Sequence, residues 1–142
     1  YGYRRGDAVI QMLGNVLSKV CDERVDFVGH IGGDDFVLLM QSVDWLERCQ
    51  QALNRFADEV LRHIDPEDLE QGGLSGEDRR GTPTFHALPT LSIGCVVVEP
   101  CQYSSHNEIS SSMAEAKKQA KKQAGNSVFI ERRRPMKPVT TV

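Results

Sequence analysis

Val28-Gly29-His30-Ile31-Gly32-Gly33-Asp34-Asp35-Phe36-Val37-Leu38-Leu39-Met40 is the stretch on which the fold turns. Residues 26–31 read as a short strand and residues 36–40 as a second, more buried one. Gly32-Gly33 between them signals a hairpin, because glycine tolerates the positive φ that tight two-residue turns demand. The same glycines would let backbone N–H groups approach a phosphate with no side chain in the way. Asp34 and Asp35, just beyond the turn, are hard oxygen donors of the kind that suits Mg²⁺. Successive strand residues point to opposite faces, so the two acids are expected to do different work. A glycine hairpin followed by solvated acids that blunt a strand edge accounts for the pentapeptide equally well.

Upstream, Val9, Ile10, Leu13, Val16, Leu17 and Val20 recur at helical spacing and predict an amphipathic helix. Downstream, Ser42 is placed to cap a helix whose stripe is Leu46, Cys49, Leu53, Phe56, Val60 and Ile64. Residues 65–84 are polar and glycine-containing, too long for a plain connection, and predict a mobile loop or a small hairpin. Leu91-Ser92-Ile93-Gly94-Cys95-Val96-Val97-Val98 reads as a buried strand. A further helix carries Ile109, Met113, Ala116, Ala120 and Ala124, with Gly125 where a C-cap belongs. Residues 126–132 predict a last short strand, and residues 133–142 a tail or linker. This order predicts an α+β sandwich with helices packed on a sheet.

With 17 Lys and Arg against 20 Asp and Glu, the net charge is −3, which argues against a dedicated nucleic-acid binder. No apolar run reaches the roughly 20 residues of a membrane span, and no signal-peptide pattern opens the chain. The four cysteines have neither metal nor scaffold spacing and predict free thiols in a reducing cytosol. His30, His63, His86 and His106 show no ligand spacing, so zinc is not expected. The serines around Ser105 read as a helix cap, and Tyr1, Tyr3 and Trp45 as packing residues.

Four motifs in order carry a more specific signal: Tyr1-Gly2-Tyr3-Arg4-Arg5-Gly6-Asp7, Val28 to Phe36, Leu91-Ser92-Ile93-Gly94, and Ala120-Lys121-Lys122-Gln123-Ala124-Gly125-Asn126. Together they resemble the GGDEF (diguanylate cyclase) family over nearly the whole chain, to about Arg132. The resemblance implies a palm-like sheet flanked by helices, related to adenylyl cyclase and polymerase palms. It implies condensation of two GTP molecules into cyclic di-GMP by two domains facing each other, with Mg²⁺ or Mn²⁺. It also implies a bacterial, cytoplasmic signalling protein with neighbouring domains, an EAL phosphodiesterase domain among the candidates. By position, Asp35 matches a metal ligand, and Asp34 an acid that activates the 3′-hydroxyl or joins the metal. Gly32 and Gly33 match the nucleotide-approach glycines, Asp7 the acceptor of guanine N–H groups, and Lys121 a phosphate contact. Asp7 could also serve as a helix cap or first-turn acid, and Lys117 and Lys118 read as a solvated helix face.

The chain also departs from the family pattern. Asp35 stands where Glu is usual, one methylene and about 1.5 Å shorter. Gly125 replaces a usual Arg. The feedback RxxD motif aligns with Glu23-Arg24-Val25-Asp26, whose leading Arg is absent. The family's first strand, bearing a metal-binding Asp and a guanine-reading Asn, is expected to precede Tyr1. These departures keep a second expectation open: a degenerate domain that binds GTP or a partner domain and regulates without catalysis.

Overall fold

The computed structural model describes residues 3–77 and 80–132; the proposed tail, residues 133–142, lies outside them. In chain order the elements are α1 (Tyr3–Val20), β1 (Phe27–Gly32), β2 (Asp35–Leu39), α2 (Trp45–Val60), a 3₁₀ turn (Leu61–His63) and α3 (Pro66–Gln71). Then come β3 (Gly73–Glu77), β4 (Pro83–Ala87), β5 (Ser92–Val96), α4 (His106–Lys121) and β6 (Ser127–Glu131). The class is α+β, as expected. The chain divides into two units, residues 1–90 and 91–142. Among the described residues the strands form three two-stranded sheets: β1–β2 and β3–β4 antiparallel, β5–β6 parallel.

The first unit is built on two helices whose stripes interlock. Met12, Leu13, Val16, Leu17 and Val20 of α1 are buried, as are Cys49, Ala52, Leu53, Phe56 and Val60 of α2. Both sets follow the three-and-four spacing that puts residues on one helix face. Arg48 of α2 donates to the Val20 carbonyl at 2.6 Å, satisfying one of the oxygens that α1 leaves without a helical partner. The β1–β2 hairpin presents its inner face, with Phe36, to α1, where the ring edge stands 3.5 Å from the position a Gly14 Cβ would take. Its outer face leaves Phe27 and Leu39 exposed.

Two local expectations are corrected in this unit, and the small hairpin expected after residue 65 is present with a short helix before it. Helix α1 begins at Tyr3, well before the first apolar stripe residue, so Asp7 lies inside it and is neither cap nor first-turn acid. Ser42 does not cap α2; Asp44 holds that position without a side-chain cap bond, and its carboxylate instead pairs with Arg48 at 2.8 Å. Ser42 is buried because its hydroxyl is taken by Asp26, at 2.9 Å. The polar stretch after residue 65 forms α3, with Pro66 in the first turn and Gly72 ending it, followed by the β3–β4 hairpin.

The second unit is a β5–α4–β6 crossover, the connection that parallel neighbours require. Ser105 caps α4 by accepting from the Glu108 N–H at 3.3 Å, while Glu108 accepts from the Ser104 N–H at 2.8 Å. The backbone and side-chain donors of Ser104 hold the Glu108 carboxyl below its ordinary range. Gly125 is not the C-cap: Lys122 is, and Gly125 takes its positive φ of 76° in the turn before β6. The Ser127 hydroxyl donates to the Ala120 carbonyl at 2.6 Å, closing the helix end from the next strand. The Asn126 side chain accepts from the Leu91 N–H at 2.7 Å, which sets the start of the parallel pairing. Gly94 crosses the backbone of α4 at Ala116 and Lys117, where a Cβ would stand 2.6 Å from main-chain carbon atoms. Cys21 and Cys49 are buried, Cys95 is half-buried and Cys101 exposed, and no disulfide joins any of them.

Candidate functional site

The hairpin tip is shaped by one irregularity. His30 pairs with Phe36, but Gly32 pairs with Asp35, so Ile31 is an extra residue in β1. The bulge moves the turn one residue along from where the glycine pair suggests: Gly33 and Asp34 form it, and Gly32 closes β1. Asp34 is therefore a turn residue, fully outside the strand, and Asp35 opens β2 half-buried. The two acids do differ in setting, though by turn against strand and not by alternating faces. Gly33 has φ of 56°, which a side chain would strain, and the space around it is open.

A cavity of about 630 Å³ lies between this tip and α1. Asp7, Gln11, Asn15 and Ser18 supply its helical wall, and His30 and Gly33 stand on the hairpin side. Its size suits a small phosphorylated molecule. Of the sequence-predicted residues, Asp7 and Gly33 line this cavity, while Gly32, Asp34 and Asp35 flank Gly33 without lining it. Gln11, Asn15 and Ser18 were missed, although their spacing from Asp7 gives a polar stripe on the helix face away from the core. His30 was also missed as a site residue. Its ring stacks on Phe36, centroids 4.4 Å apart and planes 12° from parallel, and its Nε2–H donates to the Gly33 carbonyl at 2.8 Å.

Lys121 is exposed at the end of α4, in the second unit. Lys118 is exposed too, whereas Lys117 is half-buried and has a partner, so it is not the plain solvated lysine expected. Among the described residues no three His, Cys, Asp or Glu side chains converge as a metal site. Asp34 and Asp35 remain the adjacent oxygen donors of the tip. Mg²⁺ fits such a pair, since it commonly takes one or two carboxylates and completes its shell with phosphates and water.

The segment aligned with the feedback motif is committed elsewhere. Asp26 accepts from the backbone N–H groups of Asp22 (2.9 Å), Gln41 (2.8 Å) and Ser42 (3.1 Å) and from the Ser42 hydroxyl (2.9 Å). Burial alone pushes its carboxyl pKa up, but these four donors together hold it below the ordinary value. Arg24 is held by Asp22 through two side-chain bonds of 3.2 Å. Asp26 thus clasps the base of the hairpin and has no accepting capacity to offer a dinucleotide. Asp26→Asn is expected to destabilise the protein by about 2 kcal/mol, because an amide N–H₂ would face donors in place of an acceptor. The lowered pKa means that this stabilisation is complete above the unfolded carboxyl value, near pH 4, and is lost as pH falls through the folded one. Melting curves from pH 7 down to pH 2 should show that loss in the wild type and little of it in the variant. Cyclic di-GMP titration should show no Asp26-dependent binding to either.

The fold is α+β, with a glycine-turn hairpin beside an acid-bearing helix. Residues 1–72, half of the chain, match the family described as diguanylate cyclase, GGDEF domain. The chain belongs to that family. No curated protein and no solved structure matches it. Among the described residues, no helix is long and apolar enough to cross a membrane.

Proposed function

We propose that this chain binds GTP in the cavity between α1 and the hairpin and, with a second copy facing it, condenses two GTP into cyclic di-GMP. The observation that carries this reading is the shared cavity: a helical carboxylate and an open glycine turn stand on its two sides. Asp7 accepts from the guanine N1–H and N2–H₂, and Gly33 lets the backbone come close to the phosphates. Asp34 takes the proton as the 3′-hydroxyl oxygen bonds to the partner nucleotide's α-phosphorus and pyrophosphate departs. Mg²⁺ or Mn²⁺ held by Asp34 and Asp35 would supply neutralisation of the triphosphate charge. The reading extends the GGDEF domain through residue 132 and places it in the cytosol within a longer signalling protein.

One observation favours the regulatory alternative: the hairpin carries Asp35 where the family pattern has the longer glutamate. Incubation of the full-length protein with Mg²⁺ and GTP decides between the two. Cyclic di-GMP supports catalysis; no product under either metal, with GTP altering a linked domain, supports the regulator.

Nucleotide choice gives a sharper check on Asp7. Adenine presents a different edge and would leave the carboxylate unpaired, so ATP should bind at least about a hundredfold more weakly than GTP. Calorimetry with both nucleotides should show the Asp7→Ala variant losing that preference. Equal GTP affinity in the two proteins would remove Asp7 from the site.

A further inference from the structure

His30 lies inside the proposed nucleotide cavity, yet it is held by contacts that run back into the fold. Gly14 leaves room on α1 for the Phe36 ring, Phe36 stacks on the His30 imidazole, and His30 donates to the carbonyl of Gly33. The chain of contacts reaches from a packed helix to the exposed turn. A trans peptide directs its C=O and N–H to opposite sides, so fixing the Gly33 carbonyl also fixes the Asp34 N–H. Left unpaired, that carbonyl would present a partial negative charge to any anion approaching the tip.

We propose that His30 is a positioning residue: it draws the Gly33 carbonyl onto its ring and so holds the turn in the shape that receives a nucleotide phosphate. The proposal rests on the reading that GTP occupies this cavity. The stacking partner sets the ring's plane, and the hydrogen bond sets the peptide's, so each half can be removed separately. His30→Phe keeps a ring over Phe36 and deletes the donor. His30→Gln loses the ring and keeps an N–H of similar reach.

The test measures three quantities on the full chain: amide signals of Gly33 and Asp34 by nuclear magnetic resonance, Mg-GTP affinity by calorimetry, and Tm. His30→Phe should displace both amide signals and weaken Mg-GTP about tenfold, the effect of losing one hydrogen-bonded support, with Tm nearly unchanged. His30→Gln should recover most of the affinity, which a merely structural role for the ring would not allow. Unmoved Gly33 and Asp34 signals in His30→Phe would overturn the proposal, as would undiminished affinity or failure of glutamine to rescue. Wild-type protein that binds no GTP would overturn it through the reading beneath it. That case is told apart from a failed brace by whether the two amide signals still respond to His30→Phe.

Discussion

On the proposed condensation of two GTP, cyclic di-GMP production by the full-length protein is expected to fall at least about a hundredfold when Asp35 becomes alanine, a loss of about 2.7 kcal/mol or more in transition-state stabilisation. Asp35 opens β2 directly after the turn, and its partly buried position limits how freely its carboxylate can move. Deleting it would leave triphosphate charge uncompensated at the point where the α-phosphorus is attacked. Asp34→Ala should also abolish product, through loss of the proton acceptor. Asp35→Glu is the informative contrast: it adds one methylene of reach and should match or exceed wild-type turnover. Rates should be compared at saturating GTP with Mg²⁺ and again with Mn²⁺. A glutamate variant and a wild type that are equally silent under both metals would sink the catalytic reading.

The second large effect concerns the fold. Gly94→Ala should lower stability by about 3 kcal/mol, because the new Cβ would meet the main chain of α4 with no flexible side chain to yield. Its nearest carbon atoms, the Ala116 carbonyl carbon and the Lys117 Cα, stand 2.6 Å away. Relief requires the helix to move off β5, which disturbs the Ala116 and Ala120 contacts and the Ser127 bond together. The melting midpoint should drop by about 10 °C, read by circular dichroism. A drop of under about 2 °C would show that α4 does not rest on β5 at this glycine.

How far the sequence could be read depended on the range of the interactions involved. The interlocking stripes of α1 and α2 and the serine cap at Ser105 are local patterns, and each was legible. The strand around Gly94 was legible as a strand, but it is half-buried and, among the described residues, pairs with β6 alone, not buried as its apolar run suggested. The hairpin was legible too, down to its glycines. Its register was not, because a bulge at Ile31 leaves no mark in composition yet shifts the turn onto Gly33 and Asp34. Ser42 was misassigned for a similar reason: the carboxylate that claims it comes from Asp26, far back in the chain. The start of α1 escaped because residues before Val9 carry no apolar stripe, although helix geometry needs none once later turns are packed. Helix α3, by contrast, had its signals in view, with Pro66 at its head and Gly72 at its end. At the site, Asp7 and the hairpin acids were legible as motif residues. The brace from His30 to Gly33 was not, since it depends on a ring stack and a carbonyl direction.

The pairing scheme has a kinetic consequence. Among the described residues, each strand pairs only with its neighbour in sequence: β1 with β2, β3 with β4, and β5 with β6. Two of these pairings close across tight or short connections, and the third closes around a single helix that packs on both of its strands. Ordering such loops forfeits little chain entropy, since that penalty grows only slowly with the span enclosed. Low contact order of this kind belongs to chains that reach the native state quickly. Each hairpin and the crossover can therefore form from its own local segment without waiting for a distant strand to arrive.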